Sequence, residues 1–459
     1  MRLIYLFCLL VLMGCQSSFL DIKPNTQTVV PSTLEDFESL LYDENVFRYS
    51  TPNTLNMIGS DEYSIRDAHF GTISGNKSTQ FQTQAYIWEK NIFIGDEPRM
   101  DWEYGYRRIL QCNVALDGLV VLQINEQQRE QFNKIKGMAI FHRAFSYYNL
   151  AQQFSPVYVK EKGGTSLGLP LRLTADPTLI IPRSTLEETY RRIEQDLLES
   201  LSLLPLNQST NTKLDPTKQA AHALLVRLYM QMGEYNLATV HATACLKLGS
   251  DLLDYNTINA SPSYPFPLEG KSNVEVIFYN QAASTSIISA TRMIVNPTFY
   301  SLYENADLRR ALFFRTQSSA LIFKGSYSGG TAYFSGLALD EVYLNLAECL
   351  ARNGKDMEAL NYLNTLRQHR FRPEEFQALS NLGSDELLLM ILEERKRQLY
   401  FRGLRWEDLR RLNKEAKHQT ALVRTVNGVA YRLEPGSVRW TWPIFPTAVQ
   451  NGGYIQNPR

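Results

Sequence analysis

The stretch that most constrains this chain is Lys218–Leu248, KQAAHALLVRLYMQMGEYNLATVHATACLKL. Ala220, Ala221, Leu224, Leu225 and Leu228 recur at helical spacing and give its first half one apolar face. Gly233 then lets the backbone turn sharply, and a second helix resumes at Tyr235. Ala238 allows that helix to approach the first closely, while Tyr229 and Tyr235 fill the wedge between them. A single hairpin of this kind cannot bury its own apolar face, so more helices must pack against it.

A second stretch, Asp340–Arg370, repeats the arrangement, with Ala347, Gly354, Ala359 and Leu363 in equivalent places. The order and spacing are those of tetratricopeptide (TPR) hairpins, of which about three must stack for stability. The two units are far apart in sequence, which excludes a tandem solenoid. The sequence therefore predicts a mainly α fold, with TPR-like helical hairpins as a scaffold and an irregular, loop-rich lobe packed on it.

The 459 residues are 44% hydrophobic and 20% charged, enough for a large core. Lys+Arg and Asp+Glu are both 47, and loss of Arg2 with a leader leaves 46 against 47. That balance points to no polyanionic partner and no nucleic acid. The N-terminus, MRLIYLFCLLVLMGC, has one basic residue and an apolar run from Leu3 to Met13. The run is shorter than the about 20 residues of a membrane span and fits the core of a secretory signal. Cys15 directly after Leu12-Met13-Gly14 resembles a bacterial lipobox. Residues 1–14 are then a lipoprotein signal peptide, Cys15 the lipidated first residue, 15–31 a tether and 32–459 a single domain. Cys112, Cys245 and Cys349 fall on apolar helix faces without a CxxC pattern and read as buried thiols.

Along the chain, Ser32 with Glu35 and Ser184 with Glu187 have capping-box spacing at two helix starts. Arg48 to Pro98 reads as loops and short strands, and Asp251 to Leu337 is again irregular. Candidate catalytic signals are weak. Asp61-Glu62, Asp340-Glu341 and Glu393-Glu394 are adjacent carboxylates, which point apart on a helix. Glu393 with Arg397 and Glu407 with Arg411 have the i,i+4 spacing of surface ion pairs. Gly164–Gly168 matches GxSxG, but Pro170 denies it the helix that motif needs. The six histidines show no zinc spacing, and no cofactor or metal is expected. Arg395 to Lys414 is basic with interleaved aromatics, and its acids suggest a solvated face with apolar anchors.

These segments together resemble the SusD/RagB family of outer-membrane nutrient-binding lipoproteins. The start CQSSFLDIKP, the series Trp102, Tyr106, Ile109, Asn113, and GLPLRLT after the long helix are similar to that family's patterns. So are ILEERKRQLYFRGLRWEDLRRLN and the ending WPIFPTAVQNGGYIQNP. Gln398 and Arg402 depart from it, standing where the family often has Glu, and Ala338 stands where Arg is common. The resemblance implies four TPR-like units, a loop-built ligand site and a SusC-like TonB-dependent transporter as partner. It implies a non-enzymatic receptor for glycans or glycan fragments. The same fold binding peptides, or a TPR-type assembly lipoprotein without a small ligand, are the alternatives.

Flat aromatic side chains suit the C–H faces of sugars, with polar groups at the hydroxyls. The expected ligand-binding residues are accordingly Asp61, Tyr63, Arg66, Lys90, Tyr264, Phe266 and Tyr327.

Overall fold

A computed structural model describes residues 31–98, 100–207 and 213–459. The expected signal peptide and Cys15 lie outside the described residues. The principal helices are α1 (Leu34–Leu41), α2 (Asp101–Val121), α3 (Arg129–Phe154), α4 (Leu186–Leu203), α5 (Lys218–Met232), α6 (Tyr235–Leu248), α7 (Leu339–Arg352), α8 (Asp356–Gln368), α9 (Ser384–Gln398) and α10 (Arg405–Leu412). Each packs on its neighbour: α2 on α3, α3 on α4, α4 on α5, α5 on α6. The two hairpins, α5–α6 and α7–α8, are joined in space because α6 lies directly on α7. The chain thus leaves the scaffold after Leu248, builds the irregular lobe, and returns at Leu339.

Both hairpins turn on glycines in the left-handed region, Gly233 at φ +77° and Gly354 at φ +72°. That conformation carries little steric penalty without a Cβ, which is why glycine marks both turns. Ala238, Ala347, Ala359 and Leu363 are buried where the helices close on each other. Tyr229 is buried and donates to Glu194 Oε1 at 2.6 Å, whereas Tyr235 lies half-buried under the Arg352 guanidinium. Cys112, Cys245 and Cys349 are free, buried thiols. Gly164 to Ser166 is a turn leading into a strand at Leu167–Pro170, so the GxSxG match has no helix after it.

Several expectations need correction. The capping boxes lie one residue later, at Thr33 with Asp36 and Thr185 with Glu188. In each, the threonine hydroxyl takes the third backbone N–H and the acid reaches back. The segment from Arg48 to Pro98 is richer in helix than expected, with short helices at Thr54–Gly59, Asp67–Ser74 and Gln80–Tyr86.

The basic stretch from Arg395 to Lys414 is mostly interior. Arg395 Nε lies 2.7 Å from Asp408 Oδ2, and Arg411 pairs with Glu348. Glu407 is buried and accepts from the Tyr148 hydroxyl at 2.7 Å. Arg397 pairs with Glu394, so neither expected i,i+4 surface pair forms. Charges without partners are costly inside a protein, and these are met by an opposite charge or, for Glu407, a hydroxyl.

Candidate functional site

The irregular lobe brings two distant segments together as a short antiparallel pair. Strand β1 (Tyr63–Ile65) runs against β2 (Met293–Val295), with Tyr63 opposite Val295, Ser64 opposite Ile294 and Ile65 opposite Met293. Alternation along the strands turns Tyr63, Ile65, Met293 and Val295 into the core. Beyond the Ile65–Met293 pair, the next residues out on the two strands are Arg66 and Arg292. A helix begins at Asp67 and carries His69. A hairpin of β3 (Phe314–Gln317) and β4 (Ala320–Phe323) stands alongside, with β4 next to β2.

Its two-residue turn is Ser318-Ser319, at φ +48° and +61°. Such turns favour Asn-Gly, because left-handed backbone costs a residue with a Cβ about 1–2 kcal/mol. Here the turn presents serine, Ser318, to the space between the sheets.

That space is a cleft of about 170 Å³. Met293, Ile294, Ala320 and Ile322 form its apolar wall, and Arg66, His69, Thr291, Arg292, Gln317 and Ser318 its polar one. Arg292 donates to the Ser286 carbonyl at 3.0 Å, and the Thr291 hydroxyl lies 3.2 Å from that of Ser289. The Arg66 and Gln317 side chains reach no protein partner among the described residues. His69 Nδ1 is enclosed and likewise without one. The volume lies below the about 300–1,000 Å³ of pockets that enclose a whole small ligand. A cleft this size has room for one unit of a longer molecule.

The structure separates the expected site residues. Arg66 lines the cleft. Tyr63, Phe266 and Tyr327 are core side chains, 2%, 3% and 1% exposed, and cannot meet a ligand. The Tyr63 hydroxyl donates to the Ile58 carbonyl at 3.1 Å, and its ring stands edge-on to Phe401. Phe266 packs on Tyr255, Phe313 and Tyr327. The Tyr327 hydroxyl sits between Glu275 and Asp340. Asp61 is held by Arg405 at 2.8 Å; burial would raise its carboxyl, but the guanidinium outweighs this and keeps it below its ordinary value. Lys90 and Tyr264 are exposed yet do not line the cleft. The cleft's other polar lining residues, His69, Thr291, Arg292, Gln317 and Ser318, were not among the expected ones. A serine pair between two short segments rich in β-favouring residues, FRTQSSALIF, was a hairpin signal that could have found the last two.

A larger cavity of about 480 Å³ opens between the scaffold and the C-terminal tail, lined by Pro156, Val157, Leu167, Pro435, Val438 and Trp440 among others. Its polar groups are mostly committed already. Asn457 donates to the carbonyls of Phe154 and Trp442, both at 2.8 Å, and Lys414 to that of Tyr158 at 3.1 Å. Arg410 is spent on the carbonyls of Gln152 and Ser155. For a hydroxyl-rich ligand, the smaller cleft offers the free partners.

Two family models match the chain in register with this architecture. Residues 18–230 match a SusD-like model described as starch-binding and associating with the outer membrane, and 324–459 match the SusD family model. The chain belongs to the SusD/RagB family. Among curated SusD-like relatives, protein P2 of Formosa agariphila is 24% identical over 384 residues, covering 70% of this chain and 74% of the relative. Protein P38 of the same organism is 22% identical over 429 residues, 78% and 79% of the two chains. The SusD fold is shared with a putative sugar-binding protein of Bacteroides vulgatus at TM-score 0.72 and 22% identity, covering 94% of this chain and 99% of the other. Surface glycan-binding protein A of Bacteroides uniformis superposes at TM-score 0.69 and 17% identity, covering 93% and 100%. The residues where this SusD/RagB chain departs from the family pattern are interior: Arg402 pairs with Asp340, and Gln398 hydrogen-bonds both Arg309 and Arg370. Among the described residues, no helix is long and apolar enough to cross a membrane.

Proposed function

We propose that this protein is a lipid-anchored outer-membrane receptor. In this reading it binds a glycan or glycan fragment at the Arg66 cleft, without turning it over, and hands it to a SusC-like TonB-dependent transporter. The observation that carries the reading is a cleft on the loop-built lobe of a SusD-family chain in which Arg66, Gln317 and His69 Nδ1 have no protein hydrogen-bond partner among the described residues. Guanidinium, imidazole, amide and hydroxyl groups arrayed this way suit sugar hydroxyls and ring substituents. The glycan-binding neighbours and the starch-binding family description support the same ligand class. Binding rather than catalysis is favoured because the adjacent carboxylates are committed elsewhere. Asp61 is tied to Arg405 and Glu341 to Arg227 at 2.6 Å, while Glu394 is tied to Arg309 at 2.6 Å.

Anchoring at Cys15 and the transporter partnership follow from the lipobox-like start and the family. The test uses the chain from residue 19 onward, titrated with a panel of plant, host and microbial glycans. Arg66→Ala combined with Gln317→Ala removes binding if the cleft is the site, and unchanged binding moves the site elsewhere. In cells, Cys15→Ala releases the protein from the membrane fraction, and detergent extraction of the native protein recovers a TonB-dependent barrel. Recovery of assembly machinery instead would favour the scaffold alternative.

A further inference from the structure

The pairing of β1 with β2 brings two arginines to the same end of the strand pair. The pairing ends at Ile65 and Met293, and Arg66 and Arg292, the residues just beyond it on the two segments, both line the cleft. Like charges gathered in one cleft without a counter-charge repel each other. Many interior guanidinium groups of this chain are met by acids, as Arg405 is by Asp61, Arg402 by Asp340, Arg227 by Glu341 and Arg370 by Glu275, and others, such as Arg410 and Arg424, by backbone carbonyls. Arg66 and Arg292 have no such partner among the described residues, and no acidic side chain lines the cleft between them. His69 adds a third nitrogen-bearing side chain whose Nδ1 is enclosed and unsatisfied. The chain as a whole is balanced at 47 basic and 47 acidic residues, so this one-sided cleft is a local departure.

We propose that the cleft takes the carboxylate or sulfate group of an acidic glycan, held between Arg66 and Arg292 with His69 beside them. The inference rests on the glycan-receptor reading above and narrows its ligand class. Guanidinium groups pair with carboxylates and sulfates through parallel N–H···O bonds, and the anion removes the repulsion between the two arginines. Gln317 and Ser318 then remain for neighbouring hydroxyls, and Ile294 and Ala320 for a ring face.

The test is calorimetric titration with polygalacturonate, its highly methyl-esterified form, chondroitin sulfate, neutral starch and β-glucan fragments, and poly-glutamate. Binding of polygalacturonate or chondroitin sulfate is expected, weakened by salt and lost on esterification. The galacturonate and sulfate arms distinguish the two anions. Arg66→Gln and Arg292→Gln are each expected to weaken it about tenfold or more, the loss of one charge-assisted contact. Melting temperatures no lower than that of the native protein confirm that both variants fold. Binding of neutral glycans that both variants retain overturns this inference and leaves the receptor reading standing. Binding of poly-glutamate alone overturns both, as does silence toward every glycan.

Discussion

Arg402 reaches both carboxylate oxygens of Asp340 through one nitrogen, Nη1, at 2.9 and 2.8 Å. The pair lies fully inside the protein, and the guanidinium also covers the ring of Tyr327 at 4.3 Å. Asp340 opens α7, and Arg402 lies between α9 and α10, so the contact ties the second hairpin to the C-terminal helices. Gln398 donates to the same carboxylate at 2.7 Å. Two residues that depart from the family pattern are thus built into one network.

Removing one member of a buried pair leaves a charge without compensation, a loss of about 3–5 kcal/mol. Arg402→Met is expected to lose that much in urea unfolding. Adding Asp340→Asn to Arg402→Met should cost less than the two single losses combined, because the second change removes the stranded charge. Strict additivity would show that the two groups do not act as a pair.

Two glycines with the same backbone make a sharper comparison. Gly233 and Gly403 both stand at φ +77°. A Cβ on Gly233 meets nothing within 4 Å, whereas one on Gly403 comes within 2.1 Å of Asn53 Nδ2. Asn53 is buried and donates to the Gly403 carbonyl at 3.1 Å, so it cannot step aside freely. Gly233→Ala should cost about 1–2 kcal/mol, the left-handed penalty alone. Gly403→Ala adds overpacking of about 1–3 kcal/mol and should be clearly the worse of the two in thermal unfolding. Equal losses would mean that the Asn53 contact relaxes without cost.

Just before β1, Glu62 supplies a pH dependence. Burial pushes its carboxyl up to about 7, although it accepts from the Phe401 N–H at 2.6 Å and the Ser60 hydroxyl at 3.0 Å. A carboxyl raised on folding holds its proton more tightly in the native state. Its stabilisation is therefore complete below the unfolded value of 4.5 and is lost as pH rises through about 7. Glu407, also raised to about 7, and Asp101, raised to about 6, act in the same direction, again chiefly by burial. Glu62→Gln removes one titration, so its melting temperature should rise relative to the native protein between pH 4.5 and 7. The relative gain is on the order of 2–3 kcal/mol. A constant difference across that range would mean that Glu62 ionises normally.

The sequence made the scaffold readable because helical periodicity and left-handed glycine turns are local. Lys218–Leu248 carries both signals within one span. The cleft was only partly legible, since it depends on Tyr63 pairing with Val295 across the chain. Arg66 could be singled out, but nothing local reveals that Arg292 is its neighbour. The aromatics misled for a related reason. Irregular segments usually run over surfaces, but this lobe has its own interior, where Phe266, Phe313, Tyr255 and Tyr327 pack together. The charged stretch after Arg395 hid its burial likewise, because Tyr148, Asn345 and Glu348 come from α3 and α7.

Tyr264 and Phe266 separate the two fates of an aromatic within three residues. Tyr264 is 37% exposed, whereas Phe266 lies in the ring cluster beneath it in the chain order. Phe266→Ala should destabilise by about 3–5 kcal/mol, through lost burial and the cavity left among Tyr255, Phe313 and Tyr327. Tyr264→Ala should cost clearly less, because 37% of that residue already faces solvent. Below its unfolding transition, Phe266→Ala should keep the ligand affinity of the native protein, because its ring does not line the cleft. Titration of the folded variant checks this, and a large affinity loss without a matching loss of stability would return Phe266 to the binding site.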